Sequence, residues 1–467
     1  MKLKFKKEKT TFMKSHFEEF AQKMEDHNLP KIVIKTFEYY YNKLISGETG
    51  LLSDNDILPI KDGELIEAEG LDNDIAANDD LLSQAVMIKL NGGLGTSMGL
   101  PHCKSLLEVK DGMSFLDIIL NQSRHSNVGL VLMNSFSTHE DTTDKIKKSK
   151  NINNKPICFV QHKFPKVMKN DFSPAKYNEN PKLEWNPPGH GDLYTALVTS
   201  GTLDTLLELG KNYALISNSD NLGAVMDKKI LGYFAKNKFP FMMEVTHRNE
   251  LDVKGGHLAR LKEGPLTLRE IAQCPEDEIN SFQNINLYKY FNTNNIWVHL
   301  PSLKKIVEKE QIMPLPLIRN PKKLNPIIES SPDVFQIETA VGSALTIFQG
   351  AAAIIVKRDR YHPVKKCNQL LGIWSDSYVY TDKHRIVINP KRSVGHLLIK
   401  LDEKYYKRID QLKKRFPYGP PSLVDCKSFT VKGDVLFEEN LVAKGDVTIE
   451  NLSSDQMIVK KGTVLTG

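Results

Sequence analysis

Residues 85–99 read AVMIKLNGGLGTSMG, an apolar run that breaks into four glycines, Gly92, Gly93, Gly95 and Gly99. The run predicts a strand, and the loop after it exposes bare backbone that can turn sharply and bring N–H groups close to an anion. A phosphate suits such a loop. The sequence is not a Walker A loop, which needs Gly-Lys-Ser/Thr, and its glycines do not fall as G-x-G-x-x-G, so ATPase and dinucleotide-oxidoreductase readings weaken. The basic residue arrives instead in HCKSLLEV, where Lys104 could reach a triphosphate from the far side of the loop. A plain glycine-rich turn is the alternative.

Downstream, short β-rich runs (VGLVLMNS, PICFVQH, YALISNSD, PFMMEVTH, NNIWVHL) alternate with stretches that read as helices, such as SFLDIILNQS and DLYTALVTSGTLDTLLEL. Alternation of this kind predicts an α/β sheet with crossover helices. Before residue 85 lie amphipathic pieces, FEEFAQKM and VIKTFEYYYNKLI, that predict a helical lead-in. After the linker KKRFPYGPPS, VKGDV at 431–435 returns as AKGDV at 443–447 and KKGTV closes the chain. Short strands punctuated by glycine turns predict a β-helix, with a β-meander as the alternative. The division expected is a helical segment 1–84, a catalytic domain 85–385, and a linker helix with β-helix 386–467.

The chain has 467 residues, too many for one growing core, so a large domain with appendages is expected. A net charge of +6 is small for this length, and its basic residues lie dispersed among acidic ones, which argues against nucleic acid. No apolar run approaches a membrane span. Cys103, Cys158, Cys274, Cys367 and Cys426 are scattered without CxxC spacing, which fits a reducing cytoplasm rather than a disulfide framework or a zinc site.

Further candidates follow from chemistry. In WNPPGHGDLYTAL, His190 stands between Gly189 and Gly191 ahead of a helix, where it would meet a phosphate or sugar oxygen or be satisfied by a backbone carbonyl; Asp192 reads equally as a helix N-cap. YALISNSDNLGA ends a probable strand with Asn218, Asp220 and Asn221, and a carboxylate so placed can hold Mg²⁺ against phosphates. An Asx-turn is the alternative for Asp220. Asn292, Asn294 and Asn295 in FNTNN offer the donors and acceptors that sugar hydroxyls need. Lys365 follows a proline in an otherwise ordinary basic run.

Together LNGGLGTSMG…KS, PPGHGD, SNSDNLGA, EVT…DVKGG, FNTNN, IETAVGSAL, PVK and the terminal VKGDV resemble the eukaryotic-type UTP–glucose-1-phosphate uridylyltransferase family. The resemblance implies a nucleotide-diphospho-sugar transferase fold (GT-A-like, Rossmann-like) with a C-terminal left-handed β-helix. It implies Mg²⁺-dependent formation of UDP-glucose and pyrophosphate from UTP and glucose 1-phosphate. By position it assigns Leu90, Asn91, Gly92, Gly93 and Lys104 to UTP, Gln161 and Gly189 to the uridine, Asn218 to the nucleotide and Asp220 to Mg²⁺. His190, Gly256, Asn292 and Asn294 fall to the sugar phosphate and sugar, and Lys365 to the phosphates. Lys104 and Lys365 are thereby the catalytic candidates. The alternatives are a pyrophosphorylase for another UDP-sugar, galactose or N-acetylhexosamine, and a non-catalytic sugar-nucleotide sensor. A homo-oligomer through the β-helix is a further expectation. Departures from the usual wording are Pro101 in the glycine-rich loop, Ser219 beside Asp220, and His247.

Overall fold

The computed structural model describes residues 16–467 apart from Pro101, residues 150–154 and Glu263. The Pro101 departure therefore lies outside the described residues, as does the basic N-terminal stretch 1–15.

The run that opens the sequence argument forms β1 (Ala85–Asn91), buried along its whole length. Val86, Ile88 and Leu90 join one hydrophobic layer and Ala85 and Met87 the other, so β1 is covered on both faces. Next comes α1 (Phe115–Ser126), whose start is fixed by a reciprocal cap in which Ser114 Oγ accepts the Asp117 N–H and the Asp117 carboxylate accepts the Ser114 N–H. The rest of the frame is β2 (Gly129–Asn134), β3 (Ile157–Val160), α2 (Leu193–Thr199), β4 (Tyr213–Asn218), β5 (Phe241–His247), β6 (Tyr290–His299), α3 (Leu300–Glu310) and β7 (Ala352–Ile355).

Across the sheet the order is Ile66–Glu67, β7, β5, β6, β4, β1, β2, β3. Every neighbouring pair is parallel except the two that β6 makes with β5 and β4. Leu90 lies opposite Asn218 and Asn91 opposite Asn134, so the loops after β1, β2 and β4 leave the same edge. Connections from β1 run outward to β2 and β3, whereas β4 begins the other half; the crevice between such halves is where open α/β sheets bind ligands.

The lead-in is helical over residues 16–26 and Lys31–Ile45. Phe20, Phe37 and Tyr41 from these helices pack with Phe164, Trp185 and Ile337. They thereby brace the chain just ahead of Pro187. The lead-in also supplies two strand pieces that its composition did not announce, Ile57–Leu58 and Ile66–Glu67, which pair with His257–Leu261 and β7.

At the C-terminus, Leu398–Leu401, Cys426–Lys432, Val442–Glu450 and Val464–Thr466 stack in parallel, as do Val435–Phe437 and Met457–Val459. Strands that pair in parallel with later turns of the same chain form a coil, which excludes the meander. The VKGDV repeat is not the stacking period: Val431 pairs with Ile449, and the first copy turns a corner at Gly433 while the second lies within one strand. Phe429, Val431 and Phe437 of the coil share a single core with Leu370, Leu371 and residues of the large sheet such as Met87 and Leu132. No helix among the described residues is long and apolar enough to cross a membrane.

Candidate active site

The glycine loop curls back on itself. Gly95 and Gly99 sit at positive φ, and the Lys104 N–H donates to the Gly93 carbonyl at 3.1 Å. This places Lys104 beside the end of β4, where its Nζ meets Asp220 Oδ2 at 2.5 Å. The other carboxylate oxygen, Asp220 Oδ1, is buried and has no hydrogen-bond partner. A buried carboxylate oxygen without a donor is costly unless a cation or donor arrives. Among the described residues no trio of His, Cys, Asp or Glu is grouped to enclose a metal. A lone carboxylate with one free oxygen can hold only a cation that draws its remaining ligands from water or substrate.

On the β1–β3 side, an added Cβ on Gly92 would stand 3.0 Å from Gln161 Nε2, whereas Gly93 faces open space. Asn91 turns its side chain inward, donating to Asn134 Oδ1 at 2.7 Å and Thr142 Oγ1 at 2.9 Å, and its carbonyl accepts the Thr138 hydroxyl at 2.9 Å, so it is committed to the fold. Gln161 is placed from both directions. Its N–H donates to the Asn134 carbonyl at 2.8 Å, and the next residue, His162, is held by Asp192, which accepts its backbone N–H at 2.6 Å and contacts its Nδ1 at 3.0 Å. Asp192 occupies the N-cap position of α2, as that reading had it, but its side chain makes no cap because its carboxylate is committed to His162.

Gly189 has φ +76° and ψ 171°, a conformation almost confined to glycine, and a Cβ there would meet the Thr339 carbonyl oxygen at 2.3 Å. The IETAVGSAL stretch clamps this loop: Gly191 N–H donates to Thr339 O at 2.9 Å, Thr339 N–H to Pro188 O at 2.8 Å, and Val341 N–H to His190 Nδ1 at 2.9 Å. His190 reaches solvent at the cleft. Even so, protein crowding the ring, and then the Lys365 charge, lower its pKa to about 4. The geometry agrees, since an Nδ1 that accepts a hydrogen bond carries no proton, which leaves Nε2–H as a donor.

The amide side is shaped by an irregularity in β6. Asn295 lies opposite Glu244 but Asn292 opposite the next residue, Val245, so β6 holds two extra residues there. Asn294, at φ +58°, sits in this bulge, and asparagine tolerates that conformation better than most side chains. Its Nδ2 donates to Asn218 Oδ1 at 2.9 Å and its Oδ1 is buried and unpartnered; Asn292 Oδ1 accepts the Asn294 N–H at 2.8 Å. Gly256 accepts the Asn292 N–H at 3.0 Å and lies against Glu270, whose carboxylate would stand 2.6 Å from an added Cβ. Glu270 was not evident from the sequence. Burial raises its carboxyl above the ordinary range, while hydrogen bonds from Asn292 and the Gly256 backbone and the Lys365 charge pull it back. Lys365 itself is exposed. Its charge is nevertheless felt by both Glu270 and His190, and the preceding residue, Val364, donates its N–H to the Asp220 carbonyl at 3.2 Å, so Lys365 leaves a segment that lies beside the Asp220 turn.

Several candidate residues from distant motifs thus meet: Gly92 lies against Gln161, the Gly189–His190 loop is held by Thr339 and Val341, Lys104 reaches Asp220, and Asn294 reaches Asn218. Comparison with known proteins points the same way. The sequence model described as UTP–glucose-1-phosphate uridylyltransferase matches residues 34–444. The chain is 40% identical over 403 residues to the UTP–glucose-1-phosphate uridylyltransferase of Solanum tuberosum, covering 85% of this chain and 83% of that one. It is 38% identical over 395 residues to the probable enzyme of that name from Schizosaccharomyces pombe, covering 83% and 77%. Among solved structures, a variant of UDP-glucose pyrophosphorylase from Leishmania major in complex with UDP-glucose superposes with a TM-score of 0.90 at 40% identity, covering 97% of this chain and 98% of that one. UDP-glucose phosphorylase from Trypanosoma brucei gives 0.88 at 40% identity, covering 97% and 98%. With the family model and these relatives matched over most of its length, the chain belongs to the UTP–glucose-1-phosphate uridylyltransferase family.

Proposed function

We propose that the cleft joins UTP and glucose 1-phosphate to give UDP-glucose and pyrophosphate, with the nucleotide on the β1–β3 side and the sugar on the amide side. The observation that carries this arrangement is the Lys104–Asp220 pair beside the Asn218–Asn294 bridge, with Asp220 Oδ1 left unpartnered. Leu90, Gly92 and Gly93 present backbone to the nucleotide, and Gln161 and Gly189 flank the base. The sugar phosphate oxygen attacks the α-phosphorus in line and pyrophosphate leaves, so positioning and charge neutralisation carry the rate. Lys104 moves from Asp220 to phosphate oxygens when UTP enters, and Lys365 balances the charge that builds up across the cleft. Asp220 would hold Mg²⁺, whose charge would further neutralise the phosphates. His190, neutral at Nδ1, donates from Nε2 to the sugar phosphate and acts on no proton, because that nucleophile is already ionised at neutral pH. Glu270, Asn292 and Asn294 supply acceptors and donors for the sugar hydroxyls.

A GT-A-like sheet and a left-handed hand for the terminal coil are part of this reading. Five unpaired cysteines support a reducing, cytoplasmic setting. Any contact between copies is placed at the end of the coil, where Met457, Ile458 and Val464 are exposed.

The test is pyrophosphate release with Mg²⁺, UTP and, in parallel, glucose, galactose or N-acetylglucosamine 1-phosphate, with Asp220→Ala as control. Mn²⁺ binding by electron paramagnetic resonance reports the metal residue separately. Release with glucose 1-phosphate alone, lost together with Mn²⁺ binding in the control, is the expected result. Release chiefly with another sugar overturns the substrate, and silence with all three moves the chain to a sensor.

A further inference from the structure

Asp220 and Lys365 come from distant parts of the chain, yet the turn that carries one and the segment that carries the other meet at a single buried amide. Asn221 Nδ2 donates to Asn295 Oδ1 and to the Arg360 carbonyl, both at 3.0 Å. Its Oδ1 accepts the His362 N–H at 3.0 Å and the Gly223 N–H at 3.3 Å. A primary amide has two donor hydrogens and two acceptor lone pairs, so every one is engaged and no polar group remains to meet a substrate.

The backbones are joined at the same place. Asn221 and Pro363 form an isolated antiparallel bridge, and Val364 N–H donates to the Asp220 carbonyl at 3.2 Å. Gly223 runs so close that a Cβ would stand 2.3 Å from the Asp359 carbonyl oxygen. Beneath this joint the footing is rigid. Asn295 Nδ2 donates to Glu244 Oε2 at 2.9 Å, and Glu244 receives Arg360 Nε at 2.8 Å and Nη2 at 2.6 Å, all of them buried. The far end of the turn is pinned by the buried Lys89, whose Nζ donates to the Ala224 carbonyl at 2.8 Å.

We propose that Asn221 is a positioning residue for the transfer step: it clasps the Asp220 turn to residues 360–365 and so fixes the separation of the Asp220 carboxylate and the Lys365 ammonium. The inference rests on the assignment of Asp220 to the metal and of Lys365 to the phosphates. Misplacement by about 1 Å is enough to cost a positioned reaction on the order of 10²-fold, so a loosened clasp lowers turnover while leaving the binding surfaces in place.

A double-mutant cycle tests it, with kcat and KM measured for wild type, Asn221→Ala, Lys365→Ala and the double variant. Asn221→Ala is expected to lower kcat by about 10- to 100-fold with both KM values within about threefold, and to cost less than about threefold once Lys365 is already alanine, because residues acting through one another are non-additive. The milder Asn221→Ser, which keeps one hydroxyl, reads the same cycle with a smaller first step should the alanine variant fail to fold. An equal fold-loss in both backgrounds, or an unchanged kcat, overturns the clasp. Lys365→Ala with normal turnover overturns the underlying assignment instead, so the two failures are told apart.

Discussion

The two sides of the cleft are built in different ways. The β1–β3 side presents glycines and backbone, with Gly92 against Gln161 and Gly93 open, and its most visible polar side chain, Asn91, faces inward. The amide side presents side chains, Asn292, Asn294, Glu270 and Lys365, over a buried ionic footing of Glu244 and Arg360. Backbone recognition needs only correct dihedrals and clearance, which glycine provides locally. Recognition by amides and carboxylates needs each side chain held in one orientation, and a low-dielectric network can do that if every member is satisfied. Damage to the first side should therefore be steric, and damage to the second chemical.

The largest effect expected is at the footing. Arg360→Ala leaves Glu244 as an uncompensated buried charge and should lower unfolding free energy by about 3–5 kcal/mol, measured by denaturant unfolding. A loss below about 1 kcal/mol would break the contrast. Lys365→Ala, at an exposed position, should leave melting unchanged and lower kcat on the order of 10²-fold or more, as removal of a transition-state charge contact does. Gly189→Ala probes the steric side. Its backbone region costs a non-glycine residue about 1–3 kcal/mol and Thr339 must shift, so kcat/KM should fall about tenfold or more. Gly93→Ala, with nothing within 4 Å, should fold as wild type, so any loss of UTP affinity there reports the ligand rather than the protein.

Smaller effects are set by protonation. Burial first, then the Arg360 charge, lowers the Lys89 pKa from 10.5 to about 7. Between these values the unfolded chain binds more protons than the folded one, so stability rises with pH, and the penalty is fully present below about pH 7. Wild type should gain on Lys89→Met by up to about 1.4 kcal/mol per pH unit in that window, read by unfolding at pH 7 and 9. The smallest effect expected is none: with the His190 pKa at about 4, kcat should show no histidine inflection between about pH 6 and 8. An inflection in that range that disappears in His190→Gln would make His190 a base.

Much of the β1–β3 side was legible in advance. A fully apolar run followed by glycines specifies a buried strand and a tight loop through dihedral preferences and local patterning alone, and β1 with its loop follows that pattern. The amphipathic spacing of VIKTFEYYYNKLI likewise appears as the helix Lys31–Ile45. Other features were hidden for physical reasons. Asp192 has the composition of an N-cap, but its carboxylate goes to His162, a contact made only when β3 and α2 are brought together. The terminal repeat is visible as wording, yet the coil stacks in a different register, because pairing is decided by which apolar faces meet and not by which glycines recur.

Neighbours along the chain set the local geometry: where β1 ends in a glycine loop and where the amphipathic helix Lys31–Ile45 runs. How these pieces meet is a property of the folded sheet. It paired β1 with β4, so that Lys104 reaches Asp220; it bulged β6, so that Asn294 meets Asn218; and it buried Glu244 and Arg360 beneath both. Backbone preferences act between neighbours in the chain. Orientation, proton occupancy and charge pairing depend on low-dielectric contacts between segments far apart in the chain, and those exist only once the sheet has formed.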